Sequence, residues 1–117
     1  MIRAIAMPAD TNPNGDIFGG WIVSQMDLGG AVLARDIAGS RVTTVAIESM
    51  SFVAPVGVGD TVTCYARLRE TGRTSMKVEV EVWTKHHAGS ERRVTHGLLT
   101  YVAIDENGHP HPVARAR

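Results

Sequence analysis

Asp27 stands in the middle of a stretch from Phe18 to Ala38 that contains no proline and suits a helix. At 100° per residue, it shares a helix face with small side chains such as Ser24, Gly30 and Ala31. A carboxylate in a partly dry cleft can act as a general base or as a nucleophile. The same position also suits a solvated surface charge, or a buried acid satisfied by a neighbouring hydroxyl.

Two pairs of glycines accompany this carboxylate. Gly29-Gly30 inside a helix costs about 1 kcal/mol per glycine relative to alanine, so we expect a group that approaches the backbone closely there. Gly19-Gly20 lie at the start of the helix, where backbone N–H groups are unpaired and the helix dipole is positive. Such a helix start suits a developing oxyanion, although these glycines could also serve only the turn.

Other chemistries find little support in the sequence. The loop 10–16 begins like a calcium loop, D-x-N-x-N-G, but the twelfth position is Trp21 and not the required glutamate. The adjacent His86 and His87 would point to opposite faces of a strand, which does not make a metal site. No phosphate-loop or G-x-S-x-G motif occurs. We therefore predict neither a metal nor an organic cofactor.

Composition restricts the class of protein. The 117 residues carry 12 Lys+Arg and 12 Asp+Glu, and 44% are hydrophobic, which predicts a single globular domain over residues 1–117. Zero net charge gives no support for nucleic-acid binding, and no apolar run is long enough for a membrane helix. A lone cysteine, Cys64, excludes an internal disulfide and is expected to be a buried thiol. We predict a cytoplasmic protein.

The elements that position these residues follow from periodicity and turn signals. A short strand in residues 2–7 precedes the loop and the helix, and period-two patterns with short turns predict four antiparallel strands after it. Their expected bounds are Val42–Val53, Thr61–Glu70, Ser75–Lys85 and Val94–Ile104. This order predicts an α+β fold with a sheet wrapped around one helix. Because that helix is apolar nearly all round, we expect at least a dimer to cover it.

Seven segments of the chain form a pattern that extends over almost its whole length: Met7–Trp21, Ser24–Asp27, Val45–Phe52, Val58–Asp60, Gly72–Ser75, Glu81–Trp83 and Tyr101–Asp105. Together these segments resemble the YciA-like branch of the hotdog-fold acyl-CoA thioesterases. The resemblance is most specific in the loop and the helix.

This resemblance implies a hotdog fold, an antiparallel sheet of five or six strands wrapped around the central helix. It implies a dimer with a continuous sheet, and commonly a trimer of dimers. It also implies hydrolysis of acyl-CoA at sites on the dimer interface. Asp27 would then be the catalytic carboxylate, and the backbone N–H of Gly20 would face the thioester oxygen.

Further residues are candidates for substrate binding. Gly19 belongs to the same helix start as Gly20. Asn12 and Asp16 would shape the loop. Thr44 would orient water from a strand that faces the partner's helix. The basic turn Arg73, Thr74 and Ser75 would hold the pantetheine or the phosphates of CoA.

Two other functions remain open. A hotdog dehydratase would use a histidine near the helix, but no histidine lies in residues 1–85. A non-catalytic acyl-CoA-binding module would keep the fold without needing Asp27 and the paired glycines.

Overall fold

The strictest alternation of apolar and polar residues builds the centre of the sheet. In the computed structural model, which describes residues 2–7, 17, 19–86 and 89–113, this alternation forms the strand Ser75–Lys85. Met76, Val78, Val80 and Val82 on one face are fully buried. Burying each such side chain contributes roughly 1.5–3 kcal/mol, so this strand anchors the hydrophobic core.

Six elements are formed: β1 (Ile2–Ile5), α1 (Gly19–Ala38), β2 (Arg41–Phe52), β3 (Thr61–Thr71), β4 (Ser75–Lys85) and β5 (Arg92–Ile104). All strand pairs are antiparallel, and the five strands form one sheet in the order β1-β3-β4-β5-β2. The predicted α+β fold with five strands around one helix is confirmed. The predicted bounds of β4 match, and those of β2, β3 and β5 are wrong by one or two residues.

The central helix α1 packs only one side against its own sheet. Met26, Ala34 and Ile37 are buried there. On another side of α1, Leu28 is 53% exposed and Val32 is 56% exposed. The chain's own sheet thus leaves an apolar side of α1 uncovered, as expected for a helix that needs a second subunit to cover it.

A turn between β2 and β3 holds the ends of the segment that leads into α1. The Asp60 carboxylate is buried, accepts a hydrogen bond from Gly57 N (3.0 Å), and lies 2.5 Å from His86 Nδ1. Backbone bonds join Ala6 N to Asp60 O and Ile17 N to Val56 O, both at 3.0 Å. Ala6 and Ile17, which stand on either side of residues 8–16 in the sequence, are thus both fixed to one turn, close to the position at which α1 begins.

Cys64 lies on the core face of β3 and is fully buried, as the sequence predicted. Burial raises the pKa of its thiol to about 11. Because the thiolate is the reactive form, we expect native protein to be inert to an aromatic disulfide reagent at pH 8 and to react once denaturant unfolds it. Rapid labelling of the native protein would contradict this placement.

Among the residues that the structure describes, no helix is long and apolar enough to cross a membrane.

Candidate active site

The carboxylate of Asp27 is partly buried in the middle of α1 and is held by two hydroxyl groups. Thr44 Oγ1 on β2 donates to Asp27 Oδ1 at 2.6 Å, and the Tyr101 hydroxyl on β5 lies 3.1 Å from the same oxygen. The Tyr101 hydroxyl also lies 2.9 Å from the backbone oxygen of Asp27. Asp27 is therefore a fixed carboxylate and not a freely solvated charge.

The pairing of β2 with β5 brings these hydroxyls together. Thr44 and Tyr101 are direct partners in the register, so both side chains stand on the face of the sheet that looks toward α1. Ala46 is the next paired residue after Thr44, which leaves Val45 as an extra residue in β2. The pair that contacts Asp27 thus sits immediately before an irregularity in the edge strand.

Gly30 makes room for the tyrosine. A Cβ atom at Gly30 would lie 2.3 Å from the Tyr101 hydroxyl and 3.0 Å from the ring carbon that bears it. The expectation that a group approaches the helix backbone closely at this glycine pair is confirmed, and the group is Tyr101. This contact requires a residue without a side chain at position 30, so the helix carries the conformational cost of a glycine there.

Burial, together with the neighbouring Asp27 carboxylate, raises the pKa of Tyr101 above its ordinary value. Tyr101 therefore keeps its proton near neutral pH and is a hydrogen-bond donor. Both hydroxyls lie within hydrogen-bond distance of Oδ1, and within the described part of the chain no residue donates to Oδ2. The contacts that orient the carboxylate are therefore concentrated on Oδ1.

The start of α1 lies two helical turns from Asp27. Gly20 is exposed, and a Cβ added to it would meet no atom of the described residues within 4 Å. Gly20 and Asp27 are seven positions apart in the helix, which places them on the same helix face and about 10 Å apart along the axis. The predicted open helix start and the predicted carboxylate thus share one surface.

A cavity of about 390 Å³, lined by apolar residues and by their backbone, opens beside this helix start. It lies between the first turn of α1 and the chain that follows β2, with Phe52 51% and Val53 66% exposed. A Cβ at Gly19 would lie 3.6 Å from the Phe52 ring, an ordinary contact distance. The cavity thus lies next to the first turn of α1.

The other predicted site residues differ in whether they lie near Asp27. Thr44 reaches Asp27 of its own chain through its hydroxyl, a contact that the sequence did not predict. Arg73 and Thr74 lie in the turn between β3 and β4, and Ser75 is the first residue of β4. The carbonyl oxygens of Arg73 and Thr74 accept hydrogen bonds from Val113 N and Ala103 N, respectively. In the described part of the chain no hydrogen bond joins this turn to Asp27.

Asn12 and Asp16 lie outside the described residues. Tyr101 belongs to one of the segments that carry the family resemblance, but the sequence did not predict it as a site residue. The available signal was the helical glycine pair, which required a neighbour but did not identify it. Within the described ranges, no three His, Cys, Asp or Glu side chains are grouped so that they could hold a metal ion.

Comparisons with known proteins bear directly on this arrangement. Residues 14–90 match the thioesterase superfamily. The acyl-CoA thioester hydrolase YciA of Escherichia coli K12 is 54% identical over 114 residues, which cover 94% of this chain and 86% of YciA. An uncharacterized acyl-CoA thioester hydrolase of Haemophilus influenzae is 53% identical over 119 residues, covering 98% of this chain and 77% of the relative.

Solved structures agree with these sequence relatives. The crystal structure of a hexameric thioesterase from Yersinia pestis superposes with a TM-score of 0.93 at 53% identity. The superposition covers 96% of this chain and 92% of the Yersinia chain. The similarity therefore extends over both the sheet and the helix that carries Asp27.

Proposed function

The chain belongs to the thioesterase superfamily, within its YciA-like acyl-CoA thioester hydrolase branch and with its hotdog fold, and we propose that it hydrolyses acyl-CoA to a free acid and CoA. The observation that carries the proposal is the Asp27 carboxylate, which is oriented through Oδ1 by two hydroxyls while Oδ2 has no donor among the described residues. Thioester hydrolysis needs such a base or nucleophile.

Asp27 has two routes to the products. As a general base, Oδ2 takes a proton from water while the water oxygen attacks the thioester carbon; the tetrahedral oxyanion then collapses, and the CoA sulfur leaves and takes up the proton. As a nucleophile, Oδ2 itself attacks, CoA leaves, and water hydrolyses the mixed anhydride. Both routes draw every atom from the substrate, water and this carboxylate, so the proposal includes no metal or organic cofactor.

The N–H groups at the start of α1 would stabilise the oxyanion. An oxyanion donor lies about 3 Å from the oxygen, and an attacking atom lies ~3 Å from the carbon. The separation of about 10 Å between Gly20 and Asp27 on one helix is longer than these two steps. We therefore place the thioester between Asp27 of one chain and Gly20 of the partner subunit, at a shared site.

The uncovered side of the molecule supports this shared site. Strand β2 is an edge of the sheet, and Val45 and Ile47 on it are 56% and 42% exposed. They lie on the strand that contacts Asp27, and α1 contributes the exposed Leu28 and Val32. Pairing two β2 edges would satisfy their free backbone groups and cover apolar surface. This pairing supports a dimer with a continuous sheet, and the hexamer described for the Yersinia relative supports assembly of such dimers into a trimer of dimers.

Other residues would contact or admit the substrate. Asn12, Asp16 and Gly19 would shape the entrance at the helix start, and the exposed, cationic Arg73 with Thr74 and Ser75 would contact the CoA moiety. The partners proposed are therefore an acyl-CoA and further copies of this chain, in the cytoplasm, without nucleic acid or membrane.

Product analysis tests the proposed function. Purified protein would be incubated with acyl-CoAs from short to long chain length, and CoA thiol and free acid would be quantified. We expect equal amounts of both products. Interconversion of enoyl-CoA and 3-hydroxyacyl-CoA without thiol release would indicate the dehydratase alternative, and binding without turnover would indicate the non-catalytic module.

The proposed interface gives a second expectation. Val32→Glu places a charge on the exposed apolar side of α1, where it would be buried unpaired in a dimer. We expect light scattering to show a shift to single chains, with thioesterase activity reduced at least tenfold at the same chain concentration. The matched variant Val32→Ala should keep its assembly and activity. An assembled, fully active Val32→Glu protein would contradict the shared site.

A further inference from the structure

We propose that Tyr101 is a positioning residue for Asp27: its hydroxyl orients the carboxylate, and its hydrogen turns to the Asp27 backbone oxygen when the carboxylate takes up a proton. This inference rests on the proposed function, since it concerns the protonation of the same carboxylate.

The hydroxyl of Tyr101 faces two acceptors on one residue. It lies 2.9 Å from the backbone oxygen of Asp27 and 3.1 Å from Oδ1, while Thr44 Oγ1 lies closer to Oδ1 at 2.6 Å. A tyrosine hydroxyl has a single hydrogen to donate, so it can serve one of these oxygens fully or share the hydrogen between them. The geometry thus provides the hydroxyl with an alternative partner that stays in place.

Tyr101 has no exposed surface, so its hydroxyl cannot turn to bulk water. While Asp27 is ionised, Oδ1 is a strong acceptor and the Tyr101 hydrogen supports the charge. Once a proton is on Oδ2, Oδ1 becomes an ordinary carbonyl oxygen that Thr44 alone satisfies. The Tyr101 hydrogen then turns to the backbone oxygen, and neither protonation state leaves this buried hydroxyl unpaired.

A role confined to packing does not account for the arrangement. A phenylalanine ring would fill the same space between β5 and α1 without a hydroxyl beside the helix backbone. Instead the hydroxyl is accommodated by Gly30, where a Cβ would lie 2.3 Å from it. The helix gives up the stability of a side chain at this position to admit a polar group.

Tyr101→Phe tests the inference, with Tyr65→Phe as the matched control. Tyr65 is the other tyrosine of the chain, is 39% exposed, and bonds to Glu91 on the outer face at 3.3 Å. We expect kcat of Tyr101→Phe to fall about tenfold while KM stays within twofold, because a hydrogen bond to a charged group is lost but Thr44 still holds Oδ1. Tyr65→Phe should match the wild type.

A double-mutant cycle separates positioning from packing. In a Thr44→Val background the Thr44 hydroxyl no longer holds Oδ1. We therefore expect Tyr101→Phe to lower kcat clearly more than tenfold in that background. An unchanged kcat, or the same loss factor in both backgrounds, would overturn the role of Tyr101. All variants would be assayed well below their melting temperatures, so that folding does not enter.

An Asp27→Asn variant in the same series keeps the two proposals distinct. If Asp27→Asn is inactive while Tyr101→Phe equals the wild type, only the inference about Tyr101 fails. If Asp27→Asn hydrolyses acyl-CoA normally, the proposed function of the carboxylate fails as well.

Discussion

Replacing Gly20 with valine is expected to lower kcat/KM for acyl-CoA hydrolysis by about 10²–10³-fold, the usual cost of losing one oxyanion donor. A β-branched side chain at the first turn of α1 would stand where the thioester approaches the backbone N–H. The described residues leave room for it, because none of their atoms lies within 4 Å of a Cβ built at Gly20. The loss should therefore come from the reaction and not from misfolding.

Trp21→Phe is the control for this prediction. Trp21 is the next residue of α1 and packs partly buried against the core, and phenylalanine keeps a large apolar ring there. We expect Trp21→Phe to change the rate only modestly, with both variants melting within a few degrees of the wild type. A folded Gly20→Val enzyme with normal turnover would remove the oxyanion role from this position.

Much of the fold could be predicted because local patterns determine it. The alternation of Met76, Val78, Val80 and Val82 defines one buried face, and both bounds of β4 follow from it. The bounds of β2 and β5 were less predictable, since these strands extend as far as their partners do. Arg41 pairs with Ile104 and Arg92 pairs with Thr84, so residues without apolar side chains join the ends of the ladder.

The candidate site was predictable only in part, for a related reason. Asp27 and the glycines belong to one helix, so helical periodicity places them relative to one another. Tyr101 reaches Asp27 across 74 residues of sequence, through the register of β2 with β5. Nothing in the neighbourhood of Tyr101 within the sequence indicates which helix residue it meets. The helical Gly30 indicated that some group approaches the helix backbone closely, but the strand register was needed to identify that group as Tyr101.

The register also explains why the contact of Thr44 with Asp27 could not be predicted from the sequence. The pairing of β2 with β5 turns the Thr44 hydroxyl toward α1 of its own chain, 2.6 Å from Asp27. Among the described residues, the two hydroxyls that orient the carboxylate both belong to the same chain as Asp27.

Asp27→Asn should cause the largest loss of activity. The amide is the same size as the carboxylate, and its oxygen can still accept from Thr44 and Tyr101. It cannot take a proton from water or attack the thioester, so we expect kcat to fall about 10³-fold or more, with KM and melting temperature little changed. Asp36→Asn alters an exposed carboxylate on the same helix and serves as the control.

Thiol release from one acyl-CoA by wild type, Asp27→Asn and Asp36→Asn, measured side by side at equal chain concentration, tests the central claim most directly. The account predicts turnover by the wild type and by Asp36→Asn, and almost none by a folded Asp27→Asn protein. A folded Asp27→Asn protein that releases thiol within threefold of the wild-type rate would contradict the account, because the chemistry would then not depend on this carboxylate.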